Sequence, residues 1–215
     1  MKYHPNPIAL SLKERRSHSI GVIVCEIANS FFSQVINGIE SIAYNSGYNV
    51  IIAQSRESFE REMLNLQYLV SRSVDGLIIS VSAETQDLSY FKELKQKGFP
   101  IVFFDRIVDE IDTYKVIVDN YKGAYDATVH LINSGYSRIA ALGNSPQLSI
   151  TRERLAGFRA AHHDNGMEAD ESLIGYCRHG GMIAQEVEEV VSGMLKLKQR
   201  PDAFFASSDK LSYSF

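Results

Sequence analysis

Residues 20–43, IGVIVCEIANSFFSQVINGIESIA, restrict the fold of this chain more than any other stretch. The run of Ile20, Val22, Ile23 and Val24 is β-branched and too short for a free-standing helix, so it reads as a buried strand. Asn29 and Ser30 then offer helix N-cap chemistry. Beyond them Phe31, Phe32, Val35, Ile36, Ile39, Ile42 and Ala43 form a broad apolar stripe, with Ser33, Gln34, Asn37, Glu40 and Ser41 opposite. A strand, a short polar loop and a helix make the unit of parallel α/β sheets, which bind ligands outside the carboxyl ends of their strands. The loop 26–32 is therefore the first place to seek function.

The unit repeats. Further strands are expected at 48–53, 77–80, 101–104, 116–118, 138–142, 172–177 and 203–206. Helices fall between most of them, several ending at Gly47, Gly98 or Gly135. This alternation predicts an α/β fold of parallel sheets flanked by helices. The polar link 108–115 and the strand after it divide the chain into one lobe at 19–119 and a second at 120–215. Residues 1–18, with Pro5, Pro7, Lys13, Arg15 and Arg16, form a separate segment that composition alone reads as a basic tail.

A net charge of −4 argues against a surface that coats nucleic acid throughout. The only cysteines, Cys25 and Cys177, stand at predicted strand ends and are expected as buried thiols, with no disulfide framework or zinc spacing. No signal-peptide core or bilayer-length run is present, so the cytoplasm is the expected compartment and no membrane partner is expected. Glycine-rich phosphate loops and a nucleophile elbow are absent. His130 reads as a packed or capping histidine, and His162-His163-Asp164 as a solvated helix end without metal-ligand spacing. No metal, cofactor or catalytic residue is expected.

The strand ends supply the candidate ligand contacts, which would converge on one cleft if the lobes face each other. Asn29 serves as a cap or a ligand contact. Phe31 and Phe32 belong to the core stripe, or leave one ring open for a ring-shaped ligand. Asp105 and Arg106, straight after an apolar strand, form a solvated turn or a site for hydroxyl and carboxylate recognition. Arg152 and Arg154 are expected in the first turn of a helix, as a surface ion cluster with Glu153 or facing a ligand. His179 and the Ser207-Ser208-Asp209 stretch close the inventory.

Seven segments in order resemble the LacI/GalR family of bacterial transcription regulators, whose core is similar to type I periplasmic sugar-binding proteins. They are YHPNPIALSLKERRSHSIGVIV, NSFFSQVINGIE, VDGLIIS, IVFFDR, VDNYKGAYDATVHLINSGYSRIA, RERLAGFRAA and PDAFFASSD. The resemblance implies a two-lobed fold holding a sugar-like effector between its lobes, in a homodimer that grips operator DNA. It places Asn29, Phe31 and Phe32 against the effector ring, Asp105 and Arg106 on its hydroxyls, and Arg154 with Arg152 reaching in from the second lobe. Ser208 and Asp209 would close the site. It also turns residues 1–18 into a hinge, with Leu12 wedged into the operator minor groove and Lys13 beside a phosphate. The family's helix-turn-helix would precede Tyr3 and further elements would follow Asp209, so the chain reads as a form truncated at both ends. A transporter's solute-binding protein and a small α/β enzyme are the competing readings.

Overall fold

The computed structural model describes residues 16–213; the hinge positions Leu12 and Lys13 lie outside the described residues. The chain divides into two compact units, one up to Ile117 and one from Val118. The sequence reading divided it two residues later.

The first unit is a five-stranded parallel sheet in the order β2-β1-β3-β4-β5. Its strands are β1 (Ser19–Val24), β2 (Asn49–Gln54), β3 (Gly76–Ile79), β4 (Ile101–Phe104) and β5 (Tyr114–Val116). Its helices are α1 (Ser30–Asn45), α2 (Phe59–Ser71) and α3 (Ser89–Gln96). The near-continuous apolar strands are explained by helices on both faces. Ile23, Leu77, Ile79, Ile101 and Phe103 pack with Leu66 and Leu69 of α2 and Phe91 and Leu94 of α3. Val22, Val24 and Phe104 pack on the other side with Phe32 and Ile36 of α1.

The second unit repeats this plan with three parallel strands, β6 (Ile139–Gly143), β7 (Ile174–Tyr176) and β8 (Ala203–Ala206), in the order β7-β6-β8. Ala140 and Leu142 pack with Val187, Val191 and Met194 of α6 (Ala184–Leu195) and Leu211 of α7 (Asp209–Ser212). Ile139, Ala141 and Phe205 pack with Ala124 of α4 (Asn120–Asn133) and Leu155 and Phe158 of α5 (Ser149–Asp164). One device opens both sheets. The Asp75 carboxylate, just before β3, accepts from the backbone N–H groups of Ser17 and His18 at 2.8 and 3.0 Å. Asp202, just before β8, accepts from those of Ser137 and Arg138, both at 3.0 Å.

Several expectations are corrected. The helix expected from Arg152 begins at Ser149, because Ser149, Ile150 and Thr151 are buried and extend its packed face one turn earlier. Arg152 and Arg154 therefore lie beyond the first three helical positions. The fifth strand spans Tyr114–Val116 rather than 116–118: pairing with the short β4 fixes its register, and Ile117 and Val118 stay exposed. The strand expected at 172–177 is a 3-10 turn (Glu171–Leu173) followed by the three residues of β7. His130 is exposed. His162 is buried, its Nδ1 lying 2.9 Å from the Phe158 carbonyl oxygen, because Met167 and the turn after α5 fold back on it.

Helices α4 and α5 approach so closely at Gly157 that a Cβ there would lie 2.2 Å from the Tyr121 carbonyl oxygen, where backbone cannot yield. Gly157→Ala is expected to destabilise the fold by about 1–3 kcal/mol, read as a lowered thermal unfolding midpoint by circular dichroism. Gly38→Ala is the matched control: nothing lies within 4 Å of the added methyl, and Ala in a helix interior is favoured over Gly by about 0.5–1 kcal/mol.

Candidate functional site

Doubly wound sheets bind ligands where the strand order reverses, at the carboxyl ends of the strands. In the first unit that point lies between β1 and β3, and in the second between β6 and β8.

At the first edge, Asn29 caps α1: its side-chain oxygen accepts from the N–H groups of Phe31 and Phe32 at 2.9 and 3.3 Å. This fixes two rings with different fates. Phe32 is buried and meets Phe104 edge-on at 6.1 Å between centroids, whereas Phe31 is 40% exposed. Next to β4, Asp105 takes a positive φ of 56° and its N–H donates to the Val116 carbonyl at 3.0 Å. Arg106 turns inward. Its side chain is buried, its Nη1 donates to Glu57 Oε2 at 2.5 Å and lies 3.1 Å from Cys25 Sγ, and its Nε sits 4.0 Å from Asp105 Oδ2.

Glu57 and Glu62 are the residues that sequence reasoning missed. Glu57 Oε2 also accepts from the Ala83 N–H at 2.8 Å. Glu62, fully buried, accepts from the Ser82 N–H at 2.6 Å and from the Thr85 hydroxyl at 2.7 Å. Glu57 lies just before α2 and Glu62 in its first turn, in a helix read only from its apolar positions. The available signal was Arg106 itself, since an arginine that follows a buried strand needs an acidic partner if it turns inward. Burial keeps the Cys25 thiol protonated, outweighing the Arg106 cation beside it.

At the second edge, Arg154 on α5 is half-buried. Its Nε donates to Asn120 Oδ1 at 2.9 Å and its Nη1 to the Ser207 carbonyl at 2.6 Å, while Asn120 Nδ2 donates to Glu153 at 2.8 Å. Arg154, Asn120, Asp119, Phe205 and Ser207 line a cavity of about 260 Å³, together with Val118, Gly123 and Ala124. Arg152 is exposed and bonds the Gln147 carbonyl, outside that lining. Ser208 caps α7 by accepting from the Leu211 N–H at 3.4 Å, and Asp209 opens the helix. Asn144 Oδ1, just after β6, and Thr151 Oγ1 are buried without a hydrogen-bond partner among the described residues. Neither was singled out from sequence. His179 lies 3.3 Å from Glu186 Oε2.

No group of three or more His, Cys, Asp or Glu among the described residues could hold a metal ion, and none of the described helices is long and apolar enough to cross a membrane.

Two parallel, helix-clad sheets with polar strand ends define a protein of the α/β class. Residues 17–214 match the family described as periplasmic binding proteins and the sugar-binding domain of the LacI family, and the chain belongs to that family. The chain is 28% identical over 212 residues to the HTH-type transcriptional repressor PurR of Vibrio atlanticus (strain LGP32), covering 99% of this chain and 62% of that protein. It thus spans about three fifths of the length of that curated relative. Among solved structures, a candidate ribose operon repressor from Burkholderia thailandensis superposes with a TM-score of 0.81 at 35% identity, covering 93% of this chain and 72% of that one. The Cra transcriptional dual regulator from Pseudomonas putida, in complex with fructose 1-phosphate, gives 0.79 at 25% identity, covering 92% and 71%.

Burial pushes the Glu62 carboxyl up from its ordinary 4.5 to about 7, against the opposing hydrogen bonds from Thr85 and Ser82. Between those values the folded chain holds a proton that the unfolded chain has released, so this group's contribution to stability falls as pH rises from about 4.5 to about 7. Glu62→Gln keeps an acceptor for Ser82 and removes the titration. Its melting temperature relative to the parent is expected to be higher at pH 8 than at pH 5 by about 5–10 °C, checked by thermal denaturation at both pH values.

Proposed function

We propose that this chain is the effector-sensing core of a LacI-family transcriptional regulator, binding a small polar metabolite of the sugar type. The carboxyl-end loops of each unit contribute contacts. Phe31 offers a ring face beside the Asn29 cap with Phe32 packed behind it in the core, Asp105 and Arg106 read hydroxyls, Arg154 contributes from the second unit's cavity, and Arg152, Ser208 and Asp209 are that unit's further candidate contacts. In the whole regulator, a homodimer in the cytoplasm, effector binding changes the grip on operator DNA through a hinge that includes Leu12 and Lys13. Such coupling is typically about 1–3 kcal/mol and reciprocal between the two ligands.

The observation that carries this reading is the recurrence of one arrangement. Each unit brings an arginine to the carboxyl edge of a parallel sheet beside polar backbone and side-chain groups, in a chain of a sugar-binding family. The named relatives are described as a transcriptional repressor, a candidate operon repressor and a transcriptional dual regulator, which favours a regulator over a transport protein and over an enzyme.

Thermal shift and calorimetry on the 215-residue chain with D-ribose, D-fructose, fructose 1-phosphate and further sugars and nucleosides test the reading. At least one compound is expected to raise the melting temperature. Asp105→Ala and Arg154→Ala, each folded by circular dichroism, are expected to weaken its binding by about tenfold or more, the effect of losing a charged hydrogen-bond partner. A panel that leaves the melting temperature unmoved counts against the reading.

A further inference from the structure

The first unit's edge holds more acid than base, and this bears on which metabolites it accepts. Arg106 is its only buried cation among the described residues, and Glu57 already lies against Nη1 at 2.5 Å. Asp105 stands 4.0 Å from Nε on the other side, its side chain almost as buried as that of Arg106. Glu62 is buried in the first turn of α2, the helix that follows Glu57. One guanidinium thus faces two carboxylates directly, with a third acid behind them.

Two atoms of this cluster point to a ligand. Arg106 Nε is buried and has no hydrogen-bond partner among the described residues, and a buried donor left unsatisfied is costly. A hydroxyl oxygen admitted between Nε and Asp105 Oδ2, which stand 4.0 Å apart, would accept from the N–H and donate to the carboxylate at ordinary lengths of about 2.8 Å each. An ionised phosphate oxygen has no proton for Asp105, and it would bring negative charge beside acids in a weakly screened setting. The second unit's cavity has a similar balance: Arg154 shares the lining with Asp119, and Asn120 joins it to Glu153.

We infer that Glu57 is a specificity-determining positioning residue: by neutralising and orienting Arg106 it makes the site accept an uncharged polyhydroxy ligand and reject a phosphorylated one. The inference rests on the ligand-binding reading above. Glu57 acts through Arg106 and touches no ligand itself.

Isothermal titration of the unmodified chain with matched pairs, D-ribose against ribose 5-phosphate and D-fructose against fructose 1-phosphate, tests it without any substitution. In at least one pair the neutral sugar is expected to bind about tenfold or more tightly than its phosphate ester, since like-charge juxtaposition strongly disfavours a partner. A phosphate ester that binds as tightly or more tightly overturns the charge assignment and leaves the effector-binding reading standing. No binding by either member of any pair, nor by the wider panel, overturns both. Glu57→Gln, checked for folding by circular dichroism, supplies the residue-specific arm. The ratio of neutral to phosphorylated affinity is expected to fall several-fold, and an unchanged ratio in a folded variant removes Glu57 from the role. If that variant does not fold, Asp105→Asn takes its place: the same fall in ratio supports the acidic edge as the discriminator, and an unchanged ratio overturns it.

Discussion

The buried ion pair between Arg106 and Glu57 holds the carboxyl edge of the first unit's sheet together. Four strand ends meet at it. Cys25 follows β1, Glu57 follows β2, Ser80 to Ala83 follow β3, and Asp105 with Arg106 follow β4. Removing one partner of such a pair typically costs about 3–5 kcal/mol, because the other charge is left buried and uncompensated. The pair therefore fixes four loops relative to one another more firmly than surface contacts could. It also accounts for local strain. Arg56, Glu57 and Asp105 all take positive φ values without being glycine, each at a cost of about 1–3 kcal/mol. Backbone in that region persists only where surrounding contacts over-determine it, and here a salt bridge and hydrogen bonds from backbone N–H groups do so.

Those constraints explain which parts of the molecule were readable in advance. Strand cores such as Ile101–Phe104 and Ala203–Ala206 were legible because sheets covered on both faces leave an unbroken apolar run. Asn29 was legible as a cap because its chemistry is local: its partners are two and three residues away. Glu57 and Glu62 were not, since SRESFERE has the composition of a solvated helix start. Only contacts 49 residues away at Arg106, and 20 and 23 residues away at Ser82 and Thr85, make them internal. The start of α5 was missed for a related reason. Leu148 makes no side-chain cap, so the buried Ser-Ile-Thr run that opens the helix carries no local N-cap signal to separate it from the polar loop before it.

The two units repeat one construction to different ends. Asp75 and Asp202 clamp the chain entering β1 and β6, so one inner strand of each sheet is anchored at its amino end by an acid just before the strand beside it. The carboxyl ends are thereby left to carry the variable chemistry. This separation lets one scaffold change ligand without losing its fold, since the clamps and the strand cores lie away from the reading groups.

The arginines mark where the units diverge. Arg106 is fixed by a carboxylate in a buried setting, whereas Arg154 is positioned by an amide oxygen and a main-chain carbonyl at a cavity of about 260 Å³. Neutral acceptors orient a guanidinium without cancelling its charge, and a carboxylate does both. A planar fork is needed in each place: Nη1 and Nε of Arg154 serve two acceptors at once, a geometry that the point charge of a lysine does not reproduce. On the proposed reading, the first edge is preset by the core and selects through the acids around its cation, whereas the second retains a cation held by neutral partners and selects through the placement of Asp119 and Glu153 around it.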